Sequence, residues 1–572
     1  MQNSIPQLLE EVIAQGLKGA GYAEAAEQVS VGPTQNPEHG DYQSNAAFRL
    51  GKSLGTNPRA VAEQVVAHLP AHPALARAEV AGPGFLNLFL DETWLGERLA
   101  AHVDDPQLGF PPREGCVVID YSSPNVAKRM HVGHLRSTVI GAALDRMHRF
   151  VGYTVIADNH IGDWGTQFGK LIVAWEEWLD EAAFESDPIE ELQRIYVRFA
   201  QEVREDSKLE ERARAETVRL QAGDERNLAL WQKFIRVSLR EFNGIYDRLE
   251  IRFDETLGES FYNDRLRPMV DEFLAAGVAE ISDGAVVIPF EESDGKGLKD
   301  APMLVRKRDG ASLYGTTDLA TVRHRLDTWK PGQILYVTDT RQQLHFRQLF
   351  AACSKLGWTS AELVHVWFGM LSLPEGAMST RKGNVIRLSA VLDEAVARAR
   401  LVVDEKSPEL SEEERARIAE AVGVGAVRYA DLCQNPQSNV VFDWDKMLSL
   451  DGNTAPYLMY SYARCRSLQR KGGIEAPEVE APSLDHPVER SLALALLRFP
   501  EALAGSLKNF RPNLLCEYLF QTANTFNRFY YELPVLQAEP EVKASRLALV
   551  ESSARVLASG LRMLGIQPLE RM

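Results

Sequence analysis

Two hydrophobic periods alternate along this chain. Residues 8–17 and 58–69 repeat apolar side chains at helical spacing, whereas Phe85–Leu90 alternates as a strand does. Residues 1–111 therefore read as a self-contained α+β unit, closed by the punctuation of Pro111-Pro112. The short apolar run 116–121 reads as a buried strand of a parallel sheet. A Ser122-Ser123-Pro124-Asn125 turn, a long helix over 131–150 and a second strand over 151–157 follow it. That order opens a doubly wound α/β domain, with 334–338 and 363–368 as later strands of the same sheet.

Residues 176–250 change character: 31 of 75 are charged, and strand formers are few. They read as a solvated helical insertion in the α/β domain. Residues 391–450 are mostly helical. Beyond 451, apolar residues recur at helical spacing over 492–497, 514–529 and 547–564, which predicts a bundle with a Pro/Glu-rich loop at 475–487. The expected domains are thus 1–111, 112–390 with its insertion, a connecting region 391–450, and a helical 451–572.

Composition narrows the class. The chain has 572 residues, 45% hydrophobic and 25% charged, with no long apolar run for a membrane span and no basic-then-apolar leader. Its five cysteines lie far apart with no Cys-x-x-Cys pair, which argues against structural zinc and disulfides and for a reducing cytoplasm. A net charge of −17 counts mildly against a nucleic-acid partner. Residues 451–572, however, hold 14 Lys+Arg against 13 Asp+Glu, so this segment meets a polyanion without the repulsion that the total implies.

The densest chemistry is Ser123-Pro124-Asn125-Val126-Ala127-Lys128-Arg129-Met130-His131-Val132-Gly133-His134, directly after the first strand. His131 and His134 are three apart and share a face of the helix they open. Unsatisfied N–H groups and the helix dipole favour an anion there, and Gly133 leaves room for a base or phosphate. The parts suit ATP; a pair of ordinary histidines, or half of a metal site, is the plainer alternative. A second candidate is the basic, glycine-containing loop Met378-Ser379-Thr380-Arg381-Lys382-Gly383-Asn384, able to close over phosphates and neutralise charge as pyrophosphate leaves; taken alone, a solvated basic loop is the plainer reading.

Together, the His-x-Gly-His element and the late Met-Ser loop resemble the two signatures of class I aminoacyl-tRNA synthetases. A finer resemblance is to arginyl-tRNA synthetases. It runs through Ser123-Pro124-Asn125, 158–169, Gly258-Glu259-Ser260, 309–320, 341–346, 455–464 and the ending 561–572, in the family's order. The chain departs from the class pattern Lys-Met-Ser-Lys-Ser, having Ala377-Met378-Ser379-Thr380-Arg381 instead. Arginyl enzymes resemble it in this, and Lys128 matches the lysine thought to supply part of the missing charge.

The resemblance implies a class I Rossmann-type catalytic domain with a helical insertion, an N-terminal added domain and a C-terminal anticodon-binding bundle. It implies ATP as substrate with Mg²⁺, L-arginine and tRNA(Arg) as partners, and no membrane; a monomer is the working expectation. It assigns His131, His134 and Lys128 to catalysis, and His131, Gly133, His134, Met378, Ser379, Arg381 and Lys382 to ATP. Glu259, Asp318 and Tyr314 would take the guanidinium, whose planar donors call for carboxylates; Ser123, Asn125 and Gln342 would hold the α-amino and carboxylate groups. Without the resemblance, Asp318 reads as a helix cap and Glu259 as a surface carboxylate. For tRNA it points to Phe85 and Asn87 at the elbow, and to Tyr457, Tyr460, Arg464, Arg498, Asn524 and Tyr530 in the bundle. The rival readings are a small-molecule adenylylating enzyme and a non-catalytic synthetase-like module.

Overall fold

The computed structural model describes residues 4–34, 36–372, 386–473 and 481–572. They form two compact units. One comprises residues up to Pro112 with Leu450–Arg562 and Gln567–Met572; the other comprises Arg113–Ser449 with Met563–Ile566.

The first unit begins with helix α1 (Ile5–Gly19), capped by Ser4 in a box with Gln7. Strands β1 (Val31–Pro33) and β2 (Tyr42–Ser44), helices α2 (Ala46–Leu54) and α3 (Pro58–Ala67), and strands β3 (Leu75–Ala81) and β4 (Phe85–Leu90) follow. The antiparallel sheet has the order β1-β2-β4-β3, and α4 (Glu92–Asp104) leaves it. Leu86, Leu88 and Leu90 face the core, as the alternation predicts.

The second unit is built on four parallel strands in the order β11-β10-β5-β6. These are β5 (Cys116–Asp120), β6 (Thr154–Asp158), β10 (Gln333–Asp339) and β11 (Glu362–Phe368), with α5 (Val132–Phe150) joining the first two. The second strand starts at Thr154 and not at 151, because Gly152 turns the chain at φ 104°. From β5 the chain steps to β6 on one side and later returns to β10 on the other. That reversal opens a crevice at the strands' carboxyl ends, the usual ligand position in such sheets.

Helices α6 (Thr166–Trp178), α7 (Glu181–Ser186), α8 (Pro188–Glu202), α9 (Lys208–Gln221) and α10 (Glu225–Arg248) form the insertion. It is more than a solvated appendage. Phe168, Leu192, Ile195, Phe199 and Phe234 bury a core of their own, which takes in Val126, Ala127 and Ile161 from the sheet's loops. The charge density misled because each helix spends its charges on the outer face and still keeps an apolar stripe. Helix α11 (Asn263–Ala275), the small antiparallel sheet β7 (Glu280–Ser282), β8 (Ala285–Ile288) and β9 (Met303–Arg306), α12 (Tyr314–Trp329) and α13 (Gln343–Lys355) pack a second core. Strand β12 (Leu371–Ser372), helices α14 (Leu388–Lys406) and α15 (Glu412–Leu432), β13 (Val440–Val441) and α16 (Trp444–Met447) complete this unit.

The bundle of the first unit comprises α17 (Ala455–Gly472), α18 (Pro487–Leu497), α19 (Phe499–Asn509), α20 (Pro512–Glu532) and α21 (Pro540–Met563). Pro487 opens α18 at its first turn instead of closing a loop, since a proline there gives up no hydrogen bond. The N-terminal sheet and the bundle are tied by Arg490, which forks onto Asp41 (2.9 Å), and by Tyr42, which donates to Glu501 (2.9 Å). No helix among the described residues is long and apolar enough to cross a membrane.

Candidate active site

The turn after β5 is strained and heavily braced. Ser122, Ser123 and Ala127 all take positive φ (72°, 46° and 62°), at a cost of about 1–3 kcal/mol each. Side chains from four other elements hold it. Ser122 N–H donates to Ser137 Oγ (2.9 Å), and Ser122 Oγ meets Thr138 and Tyr246. Ser123 N–H donates to Asn159 Oδ1 (3.0 Å), Ser123 Oγ donates to Asp120 (2.9 Å), and Ala127 N–H donates to Ser238 Oγ (2.9 Å). Asp120 and Asp158, the last residues of adjacent strands, share the fully buried Arg325 at 2.6 and 2.7 Å. The result presents Asn125 and Lys128 to solvent.

His131 is the N-cap of α5. Its Nδ1 accepts from Gly133 N–H (3.0 Å), while His134 Nδ1 accepts from His131 N–H (3.1 Å). The rings lie 4.0 Å apart. An accepting Nδ1 assigns the proton of each neutral ring to Nε2, so both imidazoles are donors. Burial lowers the His131 pKa, with help from Lys128 and Arg341; burial and the neighbouring His131 push His134 down to about 3. Gly133 has a local reason as well: a Cβ there would stand 2.7 Å from the His131 ring.

The expectation of free backbone donors at this helix start does not hold. Val132 N–H donates to Ile386 O (3.1 Å), Gly133 N–H to His131, and His134 N–H to His131 O (2.8 Å). The capping histidine and the passing 386–388 segment satisfy them, so the local donors are the ring N–H groups and the exposed Lys128. Lys128 Nζ lies 5.4 Å from the Tyr196 ring centre. Met378, Ser379, Arg381 and Lys382 lie outside the described residues.

The acidic pair lies on two elements of this same unit. Glu259 starts the short 3₁₀ turn Glu259–Tyr262, which Asp163 holds by accepting from Ser260 N–H (2.8 Å) and Oγ (2.6 Å). Tyr314 and Asp318 are one turn apart on α12 and so share a face. Burial raises the Glu259 carboxyl to about 7; His160 eases this, while Asp318 and Asp163 push it further. Burial, then Glu259, raises the Tyr314 hydroxyl as well. Asp318 Oδ2 meets His345 Nε2 at 2.6 Å; burial disfavours a charged His345, but this bond and the Asp318 charge lift its pKa above the ordinary value. A cavity of 410 Å³ opens beside Glu259, Tyr314 and Thr317, with Trp164, Gln167 and Arg267 further along its wall. Gln342 is exposed at the N-cap of α13, at the carboxyl end of β10.

This geometry matches known proteins along the whole chain. The model of the class I (R) tRNA synthetase catalytic domain matches residues 104–444; the arginyl tRNA synthetase N-terminal domain matches 7–90 and the DALR anticodon binding domain 458–572. An arginine–tRNA ligase of Fusobacterium nucleatum is 47% identical over 550 residues, 95% of either chain. One of Edwardsiella ictaluri is 40% identical over 577 residues and covers both chains fully. The chain belongs to the arginyl-tRNA synthetase family. Solved arginyl-tRNA synthetases share its fold: that of Plasmodium falciparum at TM-score 0.86 and 26% identity (100% of both chains), and that of Thermus thermophilus at 0.83 and 28% (99% of this chain, 100% of that one).

The synthetase's other expected contacts lie in the first unit. Phe85 is half-buried and stacks on Phe48 (5.3 Å). Asn87 is only 3% exposed, and its Oδ1 accepts from Gln43 Nε2 (2.7 Å), so Gln43 stands over it. In the bundle, Tyr460, Tyr530 and Tyr531 ring the Arg464 guanidinium at 4.9, 4.6 and 5.1 Å, with Tyr531 72% exposed. Tyr457 donates to Asn524 (2.5 Å). Arg498 is turned inward: it packs on Tyr42 and donates to Asp41 O (3.1 Å).

Several site-shaping residues were not singled out from sequence: Arg325, Asp120, Asp158, Asn159, Asp163, Tyr246 and His345. Asp120, next to last in the predicted strand 116–121, and Asp158, just past the predicted strand 151–157, end the observed strands and were the readable signal. Nothing local marks Arg325, which reaches them from 205 and 167 positions away.

Proposed function

We infer that this enzyme is an arginine–tRNA ligase, joining L-arginine to tRNA(Arg) at the expense of ATP. The observation that carries this is the half-buried Glu259 carboxylate on the wall of the 410 Å³ cavity beside Tyr314, with Asp318 one turn further along the Tyr314 helix, in the same parallel-sheet unit as a neutral histidine pair. A guanidinium supplies five N–H donors and a permanent charge to such a pocket. Family membership supports the same reading.

In the first step the arginine carboxylate attacks the α-phosphorus of ATP, giving arginyl-adenylate and pyrophosphate. The carboxylate is already a nucleophile, so positioning and charge stabilisation carry the step. Glu259 and Asp318 grip the guanidinium, and Ser123, Asn125 and Gln342 orient the backbone groups. The Nε2–H groups of His131 and His134, with Lys128, face the developing phosphate charge; Met378, Ser379, Arg381 and Lys382 belong to the same proposal. Mg²⁺ bound with the nucleotide would spread the charge of its phosphates.

In the second step the 2′-hydroxyl of the terminal adenosine takes the acyl group. Phe85, Tyr457 and Arg464 are proposed tRNA contacts, the tyrosine-ringed Arg464 offering stacking faces and a cation, whereas the buried Asn87 would act through Gln43, which it holds. One chain holds every part named, so a monomer suffices. The test is charging of tRNA(Arg) across the amino acids, with citrulline as the neutral isostere. Arginine should be preferred by about 10⁴, the range for pockets built on hydrogen bonds. Equal charging of citrulline, or label on no tRNA, would sink the reading. Pyrophosphate exchange with and without tRNA tests whether activation needs the tRNA, as the family resemblance implies.

A further inference from the structure

Between Lys128 and His131 the chain carries a tether that the reaction above does not use. The side chain of Arg129 is 11% exposed, and its guanidinium meets three carboxylates: Glu190 (3.1 Å), Glu241 (2.9 Å) and Asp187. Asp187 caps α8, Glu190 lies in the first turn of α8, and Glu241 is on α10. Three like charges around one point repel each other. A guanidinium offsets this because its three nitrogens fan out in a fixed plane, Nε to Glu190, Nη1 to Glu241 and Nη2 to Asp187; an ammonium also has three donors, but all on one nitrogen that cannot span three such positions.

The hold spreads in both directions along the chain. Upstream, Ala127 N–H is bound by Ser238 of α10, and Lys128 lies over Tyr196 of α8. Sideways, Glu190 Oε2 also accepts from Arg387 Nη2 (2.7 Å). Arg387 sits in the 386–388 segment, which pairs with the histidine element: Leu388 N–H donates to Met130 O (3.0 Å), and Val132 N–H to Ile386 O (3.1 Å). One carboxylate oxygen therefore ties together the two backbone stretches that meet at His131.

We propose that Arg129 is a positioning residue for amino-acid activation, through which the helical insertion fixes Lys128 and His131, with Glu190 extending the grip to Arg387. The inference rests on the reading of Lys128 and His131 as phosphate-facing groups. The insertion then serves the catalytic step as a brace, not as a separate module.

The test is ATP–pyrophosphate exchange with arginine and tRNA(Arg) on the full chain. Arg129→Lys keeps the charge but loses the fork, and should lower kcat by about 10²-fold, the order expected for a misplacement near 1 Å. The KM for arginine should stay within about twofold, since uniform substrate binding is untouched. Glu190→Gln and Arg387→Gln alter half-exposed side chains and leave Arg129 in place, so folding is not at issue. Each should lower kcat several-fold, and the double variant should be no worse than the weaker single, because both act on one oxygen. Unchanged kcat in all three, additive losses, or a KM for arginine rising as kcat falls would overturn the inference. A parent enzyme that exchanges no pyrophosphate with arginine would overturn the proposed function, and this inference with it; an active parent with unaffected variants overturns the inference alone.

Discussion

The proposed phosphate end and the proposed guanidinium end of this site pose different electrostatic problems. Around His131 and His134 every early backbone donor is satisfied, both rings are neutral, and the strained turn is braced from Ser137, Thr138, Asn159, Ser238 and Tyr246. Around Glu259 and Asp318, carboxylates crowd one another, and the Glu259 proton is held to about pH 7. One end is complete without its ligand and offers fixed dipoles to a charge that develops late. The other pairs Asp318 with His345 but leaves the Glu259 carboxyl holding a proton that a bound cation would displace. The contrast separates rate from affinity: the first end should govern kcat, the second KM.

The sharpest way to break this division is Asp318→Asn. It removes a charge-assisted partner of the guanidinium, and kcat/KM for arginine should fall by about 10³, chiefly through KM. A fall confined to kcat would merge the two ends. His134→Ala comes next: steady-state exchange should lose about 10² in kcat, the order for one lost oxyanion donor, with arginine affinity within about twofold.

Acid titration gives a smaller and more diagnostic effect. Below pH 7 Glu259 is protonated and above it charged, so arginine binds better as pH rises. The KM for arginine should be about tenfold higher at pH 6 than at pH 8, while kcat stays flat because His134 titrates far below this window. For the free fold, linkage runs the other way. The folded carboxyl lies above its ordinary value of 4.5, so the free fold loses stability as pH climbs from there through 7. Arginine restores it, and its thermal stabilisation should be larger at pH 8 than at pH 5. The smallest effect is Tyr246→Phe, which removes the hydroxyl shared by Ser122 (2.8 Å) and Asn159 (3.3 Å). A loss of about 1 kcal/mol is expected, read as a lowered unfolding midpoint.

Much of this division was legible in the residues. Periodicity found the strands at 116, 334 and 363 and the helix after His131, because parallel strands are short, apolar and bounded by turns. The histidine pair stood out because two rings at helical spacing follow a strand. The insertion was read as solvated because charge counts do not reveal which face a charge occupies; its buried core includes Phe199 and Phe234. Glu259 and Asp318 came from resemblance, since nothing local distinguishes a pocket carboxylate from a surface one. The Asp318 partner His345, and the Arg325 clamp on Asp120 and Asp158, depend on contacts between distant elements that no local pattern encodes.

The most direct test is a solved complex with arginine and a non-hydrolysable ATP analogue. The account predicts guanidinium nitrogens about 2.7–3.0 Å from carboxylate oxygens of both Glu259 and Asp318, with the phosphates within reach of the Nε2–H groups of His131 and His134. Arginine seated away from that acidic pair, or a nucleotide remote from the two rings, would contradict it.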